Sequence, residues 1–413
     1  MAEKFFIREL PNGLTLLGQP MDNVSSAAMV LALPAGASHD PPECAGAASV
    51  AADWCFRGAG ERDTRQLNDA LDSLGVQHHE SVQSEFLLLS AALLGRNLPE
   101  TLDLYADVVR RPRLEDKTFE PCRALVQQDL ASLEDEPSRK ANLLLREKFY
   151  PAPLGRCPYG TAGSLQALTA DALRKHLQGR FSPRGATLSV AGAFEWEALL
   201  DHVGRRFGDW DSPAAPPVRP TPPAGGITHV PKDSAQVHIA LAHRATIVSD
   251  RRYYAARLAA TVLSGGMSGR LFTEVREKRG LVYHVSSHYH SLKDHAGMFT
   301  YAGTTPEKAQ ETLRVTVTEL RRLGEGVTDD EMARARTQLK SALVMQGEST
   351  GARANALSSD WYHLRRLRSL EEISAAIDAI TPDQVRQYLR DWPAANFTLL
   401  YIGPAELDTA AVL

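Results

Sequence analysis

Arg276 and Tyr283 are the residues of this chain whose types and spacing most directly offer chemistry. They stand in the stretch 264–290, SGGMSGRLFTEVREKRGLVYHVSSHYH, which opens on the glycine pair Gly265 and Gly266, a flexible turn. Leu271, Phe272 and Val275 recur at helical spacing, Ser268 stands where a helix would be capped, and Gly280 where it would stop. Residues 281–285, LVYHV, read as a strand. The spacing therefore predicts Arg276 in the last helical turn and Tyr283 at the start of the strand. A fixed cation and a phenol brought together across such a corner can grip a carbonyl and support an oxyanion. The alternative is a helix–strand corner whose arginine pairs with a surface acid. Residues 266–269 are no nucleophile elbow, because Arg270 takes the place of the last glycine, and no phosphate loop.

Other reactive types are fewer and less well placed. His78, His79 and Glu80 fall in a predicted strand, where adjacent side chains face opposite ways, so the two histidines cannot chelate together. His284, His288 and His290 share one strand face by their period of two, and satisfaction by neighbours is favoured there over a metal. Cys44, Cys55, Cys122 and Cys157 include no C-x-x-C pair, which fits reduced thiols in a cytosol. Cys55, on an apolar helix side, reads as packed rather than nucleophilic.

The elements that must position these residues repeat along the chain. A length of 413 residues exceeds what one core usually supports, and 43% hydrophobic with 23% charged residues is ordinary globular composition. A net charge of −4 argues against nucleic acid, and the arginine runs 110–113 and 365–368 read as helix ends or solvated faces. No window reaches the roughly 18 apolar residues of a membrane helix, and the charged start MAEKFFIREL is no secretory signal, so a cytoplasmic protein is expected. The Pro/Ala/Gly-rich segment 211–226 reads as a linker between a first domain, 1–210, and a second, 227–413. Strands 27–34 and 235–242 correspond, as do 128–142 and 338–355. Helices opened by Thr169 and Thr381, 212 residues apart, lead into final strands at 186–191 and 396–402. The expected class is α+β: two tandem domains, each a mixed or antiparallel sheet covered by helices.

The stretch from Gly265 to Tyr283, G-G-M-S-x-R-L-F-x-E-x-R-E-K-R-G-L-x-Y, resembles the pitrilysin-type (M16) zinc peptidases, especially their bacterial subfamily. So do LPNGL at 10–14, LDSLG at 71–75 and YGT at 159–161, and the likeness spans nearly the whole chain. The resemblance implies a zinc motif H-x-x-E-H on a helix of the first half, with a distant glutamate as third ligand. Here Ser49 stands at the first histidine, Ala52 at the glutamate, Asp53 at the second histidine and Asp129 at the distant glutamate. A serine is a poor ligand and an alanine moves no proton. Asp53 and Asp129 could share a cation but would hold it weakly, so no metal and no cofactor are expected in this chain. It should not cut peptides alone.

The resemblance also implies that Arg276 and Tyr283 reach the substrate, and that the edge around His78, His79 and Glu80, with Gly265 and Gly266, binds it. The expectation is the non-zinc subunit of a heterodimeric metallopeptidase. Its partner would be an M16 chain bearing H-x-x-E-H and zinc, and its substrate an unfolded peptide, with neither nucleic acid nor membrane involved. The competing expectation is a catalytically inactive peptide-binding or scaffolding protein.

Overall fold

The computed structural model describes residues 3–213 and 216–413, so Ala214 and Ala215 of the expected linker lie outside the described residues. Thirteen strands run β1 (Phe6–Glu9), β2 (Thr15–Pro20), β3 (Ser26–Leu33), β4 (Gly58–Ala59), β5 (Arg62–Asp63), β6 (Gln77–Val82), β7 (Leu87–Leu94), β8 (Thr187–Gly192), β9 (Ile227–Pro231), β10 (Val237–Ala245), β11 (Val282–Ser291), β12 (Ala296–Thr304) and β13 (Thr398–Gly403). Apart from the short β4–β5 pair, they form two sheets, ordered β1-β2-β8-β3-β7-β6 and β11-β12-β10-β13-β9. From β2 onward the first order matches the second read backwards. Each has one parallel pair, β2 with β8 and β9 with β13, and antiparallel neighbours otherwise. The internal repeat is therefore a repeat of sheet topology, and the α+β expectation holds.

The central strands of each sheet are buried on both faces, which is why β3 and β10 read as near-continuous apolar runs. Ala27, Met29, Leu31 and Leu33 of β3 face the main helical core, with Val50, Trp54 and Tyr105. Ala28 and Val30 face the opposite way, onto Ala354 and Leu357 of the helix Thr350–Leu364. In the second sheet, Val237, Ile239 and Leu241 of β10 meet the core that contains Leu258, Val262 and Leu313. Its other face packs against the helix Pro137–Phe149.

The compact units consequently differ from contiguous halves. One comprises residues up to Ser132, Arg156–Pro220 and Gln346–Leu367; the other comprises Leu133–Gly155, Thr221–Met345 and Arg368–Leu413. A split at 211–226 separates the sheets but assigns each second-face helix to the wrong unit. The physical reason is that a sheet apolar on both faces must be covered twice, and the second cover comes from the other half of the chain.

Local signals in the helices hold well. Thr169 accepts from the Ala172 amide at 3.2 Å, and Thr381 forms a reciprocal cap with Gln384. Arg110 closes its helix, and Arg365 ends another in the left-handed conformation. Among the described residues, no helix is long and apolar enough to cross a membrane.

Candidate functional site

The corner that carries Arg276 is tighter and more irregular than its spacing predicts. The helix Tyr253–Ser264 ends at Gly265, whose amide donates to the Thr261 carbonyl at 2.6 Å. A Cβ on Gly265 would come within 2.2 Å of Gln338 Oε1 and 2.5 Å of the Thr261 oxygen. Gly266 has φ +121°, which an L side chain resists. Ser268 caps nothing: a backbone turn from Gly269 N–H to the Gly266 carbonyl sets the geometry, and the Ser268 cap is corrected accordingly.

A π-helical turn, Phe272–Glu277, follows, fastened by Lys278 N–H to the Thr273 carbonyl at 2.9 Å. It ends where Gly280, φ +56°, lets its amide reach the Arg276 carbonyl at 2.9 Å. Arg270 anchors this turn. Its guanidinium holds both oxygens of Glu331, at 2.6 and 2.9 Å, and donates to the Gly326 carbonyl at 2.7 Å. The arginine holds Glu331 down to a pKa of about 2.

Tyr283 owes its position to a β-bulge. In the β11–β12 register Val282 faces Thr304 and His284 faces Gly303, so Tyr283 is the extra residue. Alternation breaks there, and Tyr283 is 84% exposed. The Arg276 guanidinium carbon lies 5.5 Å from the Tyr283 ring and 4.8 Å from the Phe272 ring. Stacking on rings leaves the guanidinium N–H donors unspent. Glu274, the acid of the same turn, is taken by Lys278 at 2.7 Å and Arg279 at 2.8 Å. Among the described residues Arg276 makes no ion pair, so the surface-acid alternative is overturned: the nearby carboxylate has two better-placed cations.

The first unit shows what stands in the metal positions. The helix Ala47–Trp54 starts at Gly46, φ +94°. Buried Asp40 accepts from the Gly46 and Ala48 amides at 3.0 and 3.2 Å, and His176 lies 3.3 Å from it. Val50, Ala51 and Trp54 lock the helix into the core, and the Trp54 indole donates to Thr118. Core packing and a carboxylate cap thus hold this helix.

Ser49 donates to the Pro158 carbonyl at 2.7 Å, and Ala52 packs in the core. Asp53 is clasped by Arg57, at 2.7 and 2.9 Å through one guanidinium nitrogen. On the helix Asp116–Ser132, Cys122 donates to the Thr118 carbonyl at 3.0 Å and, unlike Asp129, is acted on by Asp53. Burial, followed by Asp53, pushes its thiol up to about 12, so it stays protonated. Asp129 is exposed on the same helix. A fixed cation one helical turn from Asp53 thus neutralises it, which accords with the reading of Asp53 and Asp129 as carboxylates without a strong metal role. These residues do not fit zinc, and among the described residues no group of three His, Cys, Asp or Glu side chains could hold a metal ion.

Asp53, Arg57, His78 and Glu80 line one cleft of about 330 Å³. His78 and Glu80, two residues apart on β6, bond at 2.8 Å. That bond raises the His78 pKa, and the His78 ring stacks on Phe56. His79 is exposed, and β6 is an edge strand, with β7 as its partner. The four cysteines are free thiols, and Cys55 is fully buried with its pKa raised by that burial. Arg57 is legible as an i,i+4 partner of Asp53, whereas spacing gives no sign of Asp40, Cys122 or Glu331, whose roles depend on partners brought together by the fold.

Residues 19–161 match the family model described as insulinase (peptidase family M16), and residues 167–339 match that of the peptidase M16 inactive domain. The chain is 30% identical over 416 residues to an uncharacterized zinc protease of Streptomyces coelicolor, covering 98% of this chain and 90% of that protein. It is 28% identical to another from Rickettsia felis, covering 98% and 99%. Among solved structures, a peptidase M16 inactive domain from Pseudomonas fluorescens superposes with TM-score 0.89 at 20% identity, covering 98% of each chain. A protease from Helicobacter pylori also gives 0.89, at 18% identity, covering 98% of this chain and all of that one.

Proposed function

Because this chain belongs to the M16 peptidase family, we propose that it is the non-zinc subunit of a two-chain metallopeptidase acting on unfolded peptides. The observation that carries the reading is an asymmetry within one polypeptide. Arg276 and Tyr283 stand together, exposed and without a carboxylate partner among the described residues, while Asp53 is neutralised by Arg57 and Ala52 can serve as no base. In this reading Arg276 donates to a carbonyl of the bound peptide, and its two flanking rings fix the guanidinium without spending its donors. Tyr283 donates its phenolic proton to the oxygen on which negative charge develops. The partner, a chain with an intact H-x-x-E-H, supplies the metal and activates the attacking water. Gly265, Gly266 and the β6 edge with His78, His79 and Glu80 are proposed to contact the peptide backbone.

The test mixes the purified chain with such a partner and a flexible peptide. Tyr283→Phe, which keeps the ring over Arg276, should lower turnover by about 10²-fold or more. An unchanged rate removes the role of Tyr283. The second reading, a peptide-binding or scaffolding protein, draws support from the Arg57 clasp that closes Asp53. It predicts peptide binding with no hydrolysis in any mixture.

A further inference from the structure

The face of the second sheet that packs against the helix Pro137–Phe149 carries a positive cluster for which no counter-charge stands among the described residues. Five side chains converge on the Phe299 ring of β12, with Phe149 packed edge-on at 5.1 Å. Arg146 places its guanidinium carbon 6.0 Å from the ring centre, the His288 ring stacks at 5.8 Å, and Tyr150 and His290 lie at 5.7 and 5.8 Å. The Tyr150 hydroxyl bonds His290 Nδ1 at 2.6 Å, which uses that nitrogen and fixes both rings. Four residues from His288 along β11, the exposed His284 lies 6.0 Å from Tyr301.

Among the described residues Arg146 makes no ion pair and no side-chain hydrogen bond, although it is half-buried. Burial draws its pKa down, and the titratable group acting on it is Tyr150. His288 is likewise lowered by crowding and by Arg146, and no carboxylate acts on either group. An arginine partly stripped of water and left without an anion is costly, and its stacking on Phe299 offsets that cost without spending its N–H donors. The fork of a guanidinium beside an imidazole matches a carboxylate. β11 is moreover an edge strand, whose outer backbone groups can take an extended chain.

We propose that this face is a subsite for an acidic side chain of an extended peptide, with Arg146 as the principal anchor and His288 and His284 as further donors. In this proposal His284 and His288 contact the peptide, while His290 is held by Tyr150. The subsite belongs to this chain alone, so it stands or falls independently of hydrolysis with a partner.

The test is fluorescence anisotropy of the full chain with labelled, flexible Gly/Ser-rich decapeptides carrying glutamate, glutamine or lysine at the same positions, at low salt. The glutamate peptide should bind at least about tenfold tighter than the glutamine peptide. The net charge of −4 works against that preference, so the global field cannot produce it. R146Q should bring the glutamate peptide to the affinity of the glutamine peptide, whose own binding stays unchanged. H288Q should narrow the difference, and R146K should retain part of it. Equal binding of the two peptides to the parent chain overturns the proposal, as does a preference that survives R146Q. If R146Q does not fold, an undiminished preference in H288Q overturns it equally.

Discussion

Replacing Glu331 by glutamine should loosen the turn that presents Arg276. The pair it breaks is bidentate, with Arg270 Nε and Nη2 at 2.6 and 2.9 Å, and the two side chains are only 15% and 17% exposed. Glu331 also accepts from the Thr328 amide at 2.8 Å, as part of the cap on the helix Asp329–Gly347. A fully buried pair broken on one side costs about 3–5 kcal/mol. With some water reaching this one, about 2–3 kcal/mol is expected, because Arg270 keeps its Gly326 carbonyl but loses its counter-ion. For a unit of this size that corresponds to a fall of roughly 5–10 °C in Tm. Thermal unfolding followed by circular dichroism measures it. The companion double variant, Arg270→Met with Glu331→Leu, should be less destabilised than E331Q, since no orphaned charge remains. A change in E331Q below about 0.5 kcal/mol would show that the pair is a solvated surface contact and would refute the anchoring argument.

The same pair sets a pH dependence. Arg270 depresses the Glu331 pKa from 4.5 to about 2, so its contribution is complete above the unfolded value and disappears as pH falls from about 4.5 to 2. The stability lost over that window is at most about 3 kcal/mol. E331Q should flatten the acid limb of the stability profile, and an identical slope would contradict the assignment. Asp40→Ala removes the buried cap of the helix Ala47–Trp54 and should cost about 2–3 kcal/mol in denaturant unfolding; a neutral result would mean that core packing alone holds the helix. Gly265→Ala forces a Cβ against the Thr261 oxygen and Gln338, so a loss of about 1–3 kcal/mol is expected, and full stability would show that the corner can shift.

The sequence by itself determined the repeat, the apolar strands, the threonine caps and the corner with Arg276 and Tyr283. All are written in spacing and turn chemistry over a few residues, where backbone geometry dictates the answer. It also determined that Ser49 and Ala52 cannot serve a metal, because side-chain chemistry needs no coordinates. Only the tertiary structure decided which helix covers which sheet: the apolar faces of Pro137–Phe149 and Thr350–Leu364 fit a two-faced sheet without naming which one. It likewise decided that a β-bulge turns Tyr283 outward, that Asp53 acts on Cys122, and that Arg146 has no carboxylate among the described residues. Those outcomes rest on partners far along the chain, and pairing between distant segments is set by packing rather than by any local pattern.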